Sequence, residues 1–158
     1  MSKKAPQDRS VRYFLVGIIA GLFAMAGAQV AVAAITTTVR TDVVTVGGKC
    51  YEAKATMNTS LSTPTGYAYG WVMTSSCGAN STVPSGYMQM QAITYRNGTV
   101  CLNKLGSTNS STVSNMTLGA AKDCGFGSYK AKAGVFGYNP STGFYSVGYT
   151  VFSPIADT

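Results

Sequence analysis

The stretch Ala-Ile-Thr-Tyr-Arg-Asn-Gly-Thr-Val-Cys-Leu, residues 92–102, carries the strongest local structural signal in the chain. Its two arms are rich in β-branched and aromatic residues, which favour extended strands. Between the arms, Asn97 and Gly98 are residue types that accept the positive φ angles of a two-residue type I′ turn. The stretch therefore predicts an antiparallel β-hairpin.

A second hairpin is predicted from residues 128–138 and 144–152, which are joined by a Pro- and Gly-containing turn at 139–143. Residues two apart in a strand share a face. We expect two such rows to meet in the core: Tyr129, Ala131, Ala133 and Val135 on one strand, and Tyr145, Val147, Tyr149 and Val151 on the other. Lys130 and Lys132 would then point towards solvent.

Further alternating segments occur at residues 37–46, 50–57, 67–74, 87–95 and 113–118, and no helical period is sustained over ten residues after residue 35. Met88 and Met90 alternate with Gln89 and Gln91, as in a half-buried strand. The polar segment 106–114 is predicted to be a loop. Together these patterns predict an all-β fold, a small antiparallel β-sandwich or barrel of seven or eight strands.

The beginning of the chain has the pattern of an export signal. Four basic residues precede an apolar, helix-compatible run at residues 13–35: Lys3, Lys4, Arg9 and Arg12. Two Ala-x-Ala-like sites end at Ala28 and Ala33, so residues 1–34 are predicted to be a signal peptide and residues 35–158 a secreted, extracellular β domain. Alternatively, the run is long enough to remain as an uncleaved membrane anchor, with the domain outside the membrane.

The four cysteines agree with export. Cys50, Cys77, Cys101 and Cys124 are spaced by 27, 24 and 23 residues, with no C-x-x-C motif and no His in the chain. This spacing disfavours zinc and favours two disulfides in an oxidising compartment. Of the three possible connectivities we expect Cys50 with Cys77 and Cys101 with Cys124, because each pair falls within one strand-turn-strand region.

The predicted domain has few of the residues that most enzymes use. It contains one Glu, Glu52, and three Asp, namely Asp42, Asp123 and Asp157. A glycosidase needs two facing carboxylates, and a Ser or Cys nucleophile usually needs a His. Only Glu52 and Asp123, each close to a cysteine, are candidates for a carboxylate pair. We therefore expect a protein that is not an enzyme and needs no cofactor or metal.

Aromatic residues are better candidates for a binding site. Tyr67, Tyr69 and Trp71 alternate with Ala68 and Gly70, which places three rings on one face of a strand. The usual interpretation of such a row is that it points into the core. If it is exposed instead, it could stack on sugar rings or anchor a protein partner. Lys130 and Lys132 are further candidates for binding.

Charge narrows the range of partners. Four of the 12 basic residues and one of the five acidic residues belong to the predicted signal, so the net charge of +7 falls to +4 in the domain. This excess favours an anionic surface but is too dilute to indicate nucleic acid. We expect a cell-envelope component or an extracellular protein as partner, with membrane contact only through an uncleaved N-terminal segment. The oligomeric state is not predicted.

Three functional classes suit these features. The first is a secreted or cell-surface binding protein that recognises a cell-surface component or a protein partner. Its short signal with small residues resembles a bacterial one. The second is an antibacterial protein, because some secreted β-sandwich bacteriocins are similar in Gly and Tyr content and in basic charge. The third is a hydrolase inhibitor. The general plan is similar to that of small actinobacterial amylase inhibitors, although Trp71 lies between Gly70 and Val72 and their Trp-Arg-Tyr triplet is absent.

Overall fold

The computed structural model describes residues 35–39 and 44–158 as ten β-strands without a helix, which confirms the all-β prediction for this part of the chain. The predicted signal or anchor at 1–34 and Asp42 lie outside the described residues. Among the residues described, no helix could cross a membrane. The strands are β1 (Ile35–Val39), β2 (Val44–Val46), β3 (Lys49–Asn58), β4 (Thr65–Met73), β5 (Met88–Arg96), β6 (Thr99–Thr108), β7 (Asn115–Ala121), β8 (Ser128–Asn139), β9 (Phe144–Phe152) and β10 (Ala156–Asp157).

The strands form two five-stranded antiparallel sheets. In the first sheet the order is β1-β3-β4-β7, and β2 pairs with the other end of the same edge of β3. In the second sheet the order is β10-β8-β5-β6. β10 pairs with the first two residues of β8, and β9 pairs with β8 from Lys132 onwards. Ten strands are described where seven or eight were predicted. The difference arises because two strands, β1 and β2, are described where one was predicted at 37–46, and because β10 was not foreseen.

The two sheets stack on one core that is unusually rich in small residues. Seven fully buried alanines line it: Ala53, Ala55, Ala68, Ala92, Ala120, Ala131 and Ala133. A Cβ atom on Gly66 would lie 2.7 Å from Thr94 Oγ1, and one on Gly70 would lie 2.6 Å from Met90 Sδ. The sheets therefore approach closely along β4. The larger core side chains, among them Tyr51, Tyr129 and Met57, fill the remaining space.

The hairpin at residues 92–102 is confirmed. Asn97 and Gly98 connect β5 to β6 and have φ angles of 48° and 81°. The Asn97 side chain also contacts a residue outside the hairpin: its Oδ1 accepts a hydrogen bond of 2.9 Å from the backbone N–H of Ser128. The turn residue thus ties the tip of this hairpin to the start of β8.

The β8–β9 hairpin is confirmed, but one of its two predicted core rows is partly wrong. Tyr129, Ala131, Ala133 and Val135 are fully buried, as predicted. On β9, Val151 is buried, whereas Val147 is 51% and Tyr145 is 38% exposed. A bulge lies between the pairs Val135–Tyr149 and Phe136–Val147. Because it adds one residue to β9, Tyr145 and Val147 point to the outer face and not to the core.

The bulge has a steric reason. Gly148 is the extra residue, and a Cβ atom there would lie 2.9 Å from Cβ of Tyr51. The buried Tyr51 ring occupies the space that a regular β9 side chain would need. An alternating sequence pattern cannot reveal this competition, because it arises between two different sheets.

The segment 106–114 is more ordered than the predicted loop. Its first three residues belong to β6, and Asn109 is 4% exposed. The Asn109 side chain accepts a hydrogen bond from the backbone N–H of Met88 at 2.7 Å and donates to the carbonyls of Pro84 and Ser111 at 2.7 and 2.6 Å. A buried amide with its hydrogen bonds satisfied holds this connection against the core.

Both disulfides form as predicted. Cys50 of β3 pairs with Cys77 after β4, and Cys101 of β6 pairs with Cys124 after β7, with Cα–Cα distances of 5.4 and 6.2 Å. The second bridge joins a strand of the second sheet to the segment that follows a strand of the first. Each closes a loop of a size that typically contributes about 3 kcal/mol to the free energy of unfolding.

The close packing predicts that adding a methyl group to the core is costly. In Gly137→Ala the new Cβ would lie 2.5 Å from the Tyr51 ring, so we expect the free energy of unfolding to fall by about 1–3 kcal/mol. Denaturant titration followed by circular dichroism measures the loss. Gly78→Ala is the matched control, because its nearest neighbour would be 3.9 Å away. Equal stability of the two variants would contradict the proposed packing.

Burial of Tyr51 predicts a loss of stability at alkaline pH. Desolvation, with a contribution from Tyr145, raises the pKa of the Tyr51 phenol from 10.0 to about 12. The unfolded chain therefore ionises first, and the free energy of unfolding should fall by on the order of 2 kcal/mol as the pH rises from 10 towards 12. Denaturant titrations near neutral pH and just below pH 12 measure the drop. Tyr51→Phe should reduce it, and an unchanged drop would show that other groups cause it.

Candidate functional site

Three aromatic side chains form a row on the outer face of the first sheet. Tyr67, Tyr69 and Trp71 of β4 are partly exposed, whereas Ala68 and Val72 are fully buried. The expectation that the rings point into the core is therefore wrong. The close approach of the two sheets explains the reversal, because the gap beneath β4 admits Ala and Gly but not rings.

The rings of this aromatic row follow one another along the strand. The centroids of Tyr67 and Tyr69 are 6.1 Å apart, and those of Tyr69 and Trp71 are 6.3 Å apart. The interplanar angles are 31° and 19°, so neighbouring rings are tilted only moderately against each other. The row is a narrow aromatic strip that could contact an extended ligand at successive positions.

Polar residues border the aromatic row on both sides. On β3, Lys54 pairs with Tyr69 and Glu52 pairs with Trp71, and Nζ of Lys54 lies 5.4 Å from the Tyr69 ring centroid. On β7, Thr117 and Asn115 pair with the same two aromatic residues, and both are exposed. A ligand stacked on the rings would therefore meet hydrogen-bonding groups along each border.

One end of the row opens into a shallow cavity. Glu52, Lys54, Trp71 and Asn80 line a volume of about 340 Å³. Three polar groups therefore surround the Trp71 indole. The Glu52 carboxylate accepts hydrogen bonds, the Lys54 ammonium donates them, and the Asn80 amide does both. This combination of an apolar platform with a few polar groups is typical of small-molecule binding sites. Glu52, Lys54 and Asn80 were not predicted as site residues, because strand pairing and a loop bring them to Trp71.

Lys130 and Lys132 belong to a second site on the opposite side of the molecule. They lie on the outer face of β8, in the second sheet, as predicted. Nζ of Lys130 is 4.9 Å from the Phe152 ring centroid and 5.6 Å from that of Tyr95, and Nζ of Lys132 is 5.4 Å from that of Phe152. We call these four residues the basic aromatic patch. The five predicted binding residues thus form two separate groups.

The two carboxylates considered as a pair are far apart. Glu52 pairs with Trp71 at one end of the first sheet, whereas Asp123 follows β7 beyond the Thr65–Ala121 pair at the other end. The six residue steps from Thr65 to Trp71 span about 20 Å. Glu52 and Asp123 therefore do not face one another. Within residues 35–39 and 44–158, no group of three or more His, Cys, Asp or Glu side chains converges as a metal site requires.

Comparison with known proteins adds no relative from which a function could be carried over. No protein-family model, no curated protein and no solved structure matches the chain. The function of the protein is therefore inferred from the geometry of these two sites.

The outward position of Trp71 can be checked by fluorescence, because it is the only tryptophan in the chain. A partly exposed indole should emit at a long wavelength in the folded protein and should be quenched by acrylamide. Unfolding in denaturant should change both properties only modestly. Emission at short wavelength with protection from acrylamide, both lost on unfolding, would place Trp71 in the core and contradict the exposed row.

Proposed function

We propose that this protein is an extracytoplasmic, non-enzymatic binding protein that recognises a cell-surface polysaccharide through the aromatic row. The observation that carries the proposal is the outward projection of Tyr67, Tyr69 and Trp71 from one strand at a spacing of about 6 Å. Side chains of this size are usually buried in a core or in an interface. Their position on a sheet surface favours a ligand that covers them.

A saccharide chain suits both parts of the site. Sugar rings have apolar C–H faces that can lie on aromatic rings, and their edges carry hydroxyl groups that donate and accept hydrogen bonds. The row offers three successive platforms, and Glu52, Lys54 and Asn80 offer polar partners at one end. Lys54 adds a positive charge close to Tyr69, which favours a polymer with some acidic substituents.

The compartment is part of the same proposal. The two disulfides are consistent with an extracellular or secreted protein. The predicted signal peptide at residues 1–34, bacterial in style, would direct the domain to the cell surface or the medium. A cell-surface polysaccharide would then be in the same compartment as the domain.

The proposal predicts that binding of soluble cell-wall polysaccharide fragments changes the fluorescence of Trp71. Calorimetric titration of the oxidised protein should give a dissociation constant that rises at least about fivefold in Tyr69→Ala and in Trp71→Ala, since truncation of an aromatic anchor at the centre of a site costs more than about 1 kcal/mol. Phe152→Ala, which removes an exposed ring from the other sheet, should bind like the unchanged protein.

Two results would overturn the proposed function. In the first, fragments from several cell walls leave Trp71 fluorescence unchanged and release no heat. In the second, fragments bind, but Tyr69→Ala and Phe152→Ala weaken binding equally, which would show that the row is not the site. Inhibition of a secreted hydrolase by the same protein would favour the inhibitor class.

A further inference from the structure

The outer face of the second sheet carries a group of exposed large apolar side chains. Five large apolar side chains of β6 and β9 project from it: Val100, Leu105, Tyr145, Val147 and Phe152, with exposures of 38–58%. Tyr95, Phe136 and Tyr138 lie between them and are partly exposed. An apolar surface of this extent on a soluble domain usually marks an interaction site.

The same face is positively charged. Lys130 and Lys132 project from its central strand, and their ammonium groups contact the rings of Tyr95 and Phe152. Of the three carboxylates on described residues, Glu52 belongs to the first sheet and Asp123 to a loop. Asp157 lies at the β10 end of this face, where it pairs with Ser128 and accepts a hydrogen bond of 2.5 Å from Ser128 Oγ. The two lysines outnumber this single carboxylate. The face therefore complements an anionic partner.

The combination of lysines and rings distinguishes between classes of partner. Protein interfaces are depleted in lysine at their centre, because a buried ammonium loses its hydration. At a membrane surface, by contrast, aromatic rings sit at the level of the headgroups, and lysines keep their charge in water beside anionic phosphates. In the basic aromatic patch, each ammonium already lies next to a ring whose edge is exposed to solvent.

We propose that the outer face of the second sheet docks on the surface of an anionic lipid bilayer, with Phe152 and Val147 in contact with the interfacial region and Lys130 and Lys132 on lipid phosphates. This site is independent of the polysaccharide site, because the two lie on opposite sides of the stacked sheets. It also differs from the sequence prediction, in which the N-terminal segment was the only membrane contact. A domain docked in this way presents the aromatic row away from the lipid.

The experiment is co-sedimentation of the exported, oxidised protein with vesicles. Binding should be strong to vesicles that contain phosphatidylglycerol, weak to pure phosphatidylcholine vesicles, and reduced by salt. The double variant Lys130→Gln/Lys132→Gln should lower the partition coefficient by about 10- to 30-fold, from a loss of roughly three- to fivefold for each lysine at an anionic surface. Phe152→Ser should lower it as well. Lys122→Gln, which removes an exposed charge outside this face, should reduce it little.

Several results would overturn the docking proposal. Equal binding to anionic and neutral vesicles, or binding that persists in the double lysine variant, would assign membrane contact to another part of the chain, such as the predicted N-terminal segment. Absence of vesicle binding together with a concentration-dependent dimer would show that a second copy covers the face. Retention of inorganic phosphate or soluble anionic polymer without vesicle binding would reduce the site to general anion binding. In each case the response of Trp71 to polysaccharide remains a separate readout.

Discussion

The close approach of the two sheets is the constraint on which most of this structure depends. Six alanines and three glycines, Gly66, Gly70 and Gly137, line the interior along β3, β4, β5 and β8, and a Cβ atom at any of these glycines would overlap a side chain of the opposite sheet. In such a thin core, the buried apolar surface comes from many small side chains and from a few large ones such as Tyr51 and Tyr129. Large rings elsewhere have no interior volume available and are placed on the outside.

This constraint produces both candidate sites. On the first sheet it turns Tyr67, Tyr69 and Trp71 outwards as a row bordered by polar side chains. On the second sheet it leaves Tyr95 and Phe152 on the surface, where Lys130 and Lys132 lie against them. The bulge at Gly148 adds Tyr145 and Val147 to the same outer face. The thin core therefore leaves aromatic rings on both outer faces, and these are the two surfaces that we propose bind a polysaccharide and a lipid bilayer.

Much of the fold was predictable because its signals are local. Asn97-Gly98 specifies a turn by its own backbone preferences, and the alternation of Met88 and Met90 with glutamines specifies a half-buried strand. The disulfide pairing was predicted from spacing, since each pair lies within one strand-turn-strand region. The order of Asn109 was missed, because two of its three hydrogen-bond partners, Pro84 and Met88, lie outside the predicted loop.

The sequence by itself determined that the domain is all-β, where its hairpins turn and, away from β-bulges, which residues of a strand share a face. It also favoured the cysteine pairing that forms. In β4, only the tertiary structure decided which of the two faces is buried. In a strand such as β4, rings alternate with Ala and Gly, and both faces are apolar enough to enter a core. The close approach of the sheets then selects the small residues for the interior, where Met90, Thr94 and Ala131 of the opposite sheet occupy the space next to the β4 glycines. For this reason the aromatic row could be recognised from the sequence, but its exposure could not.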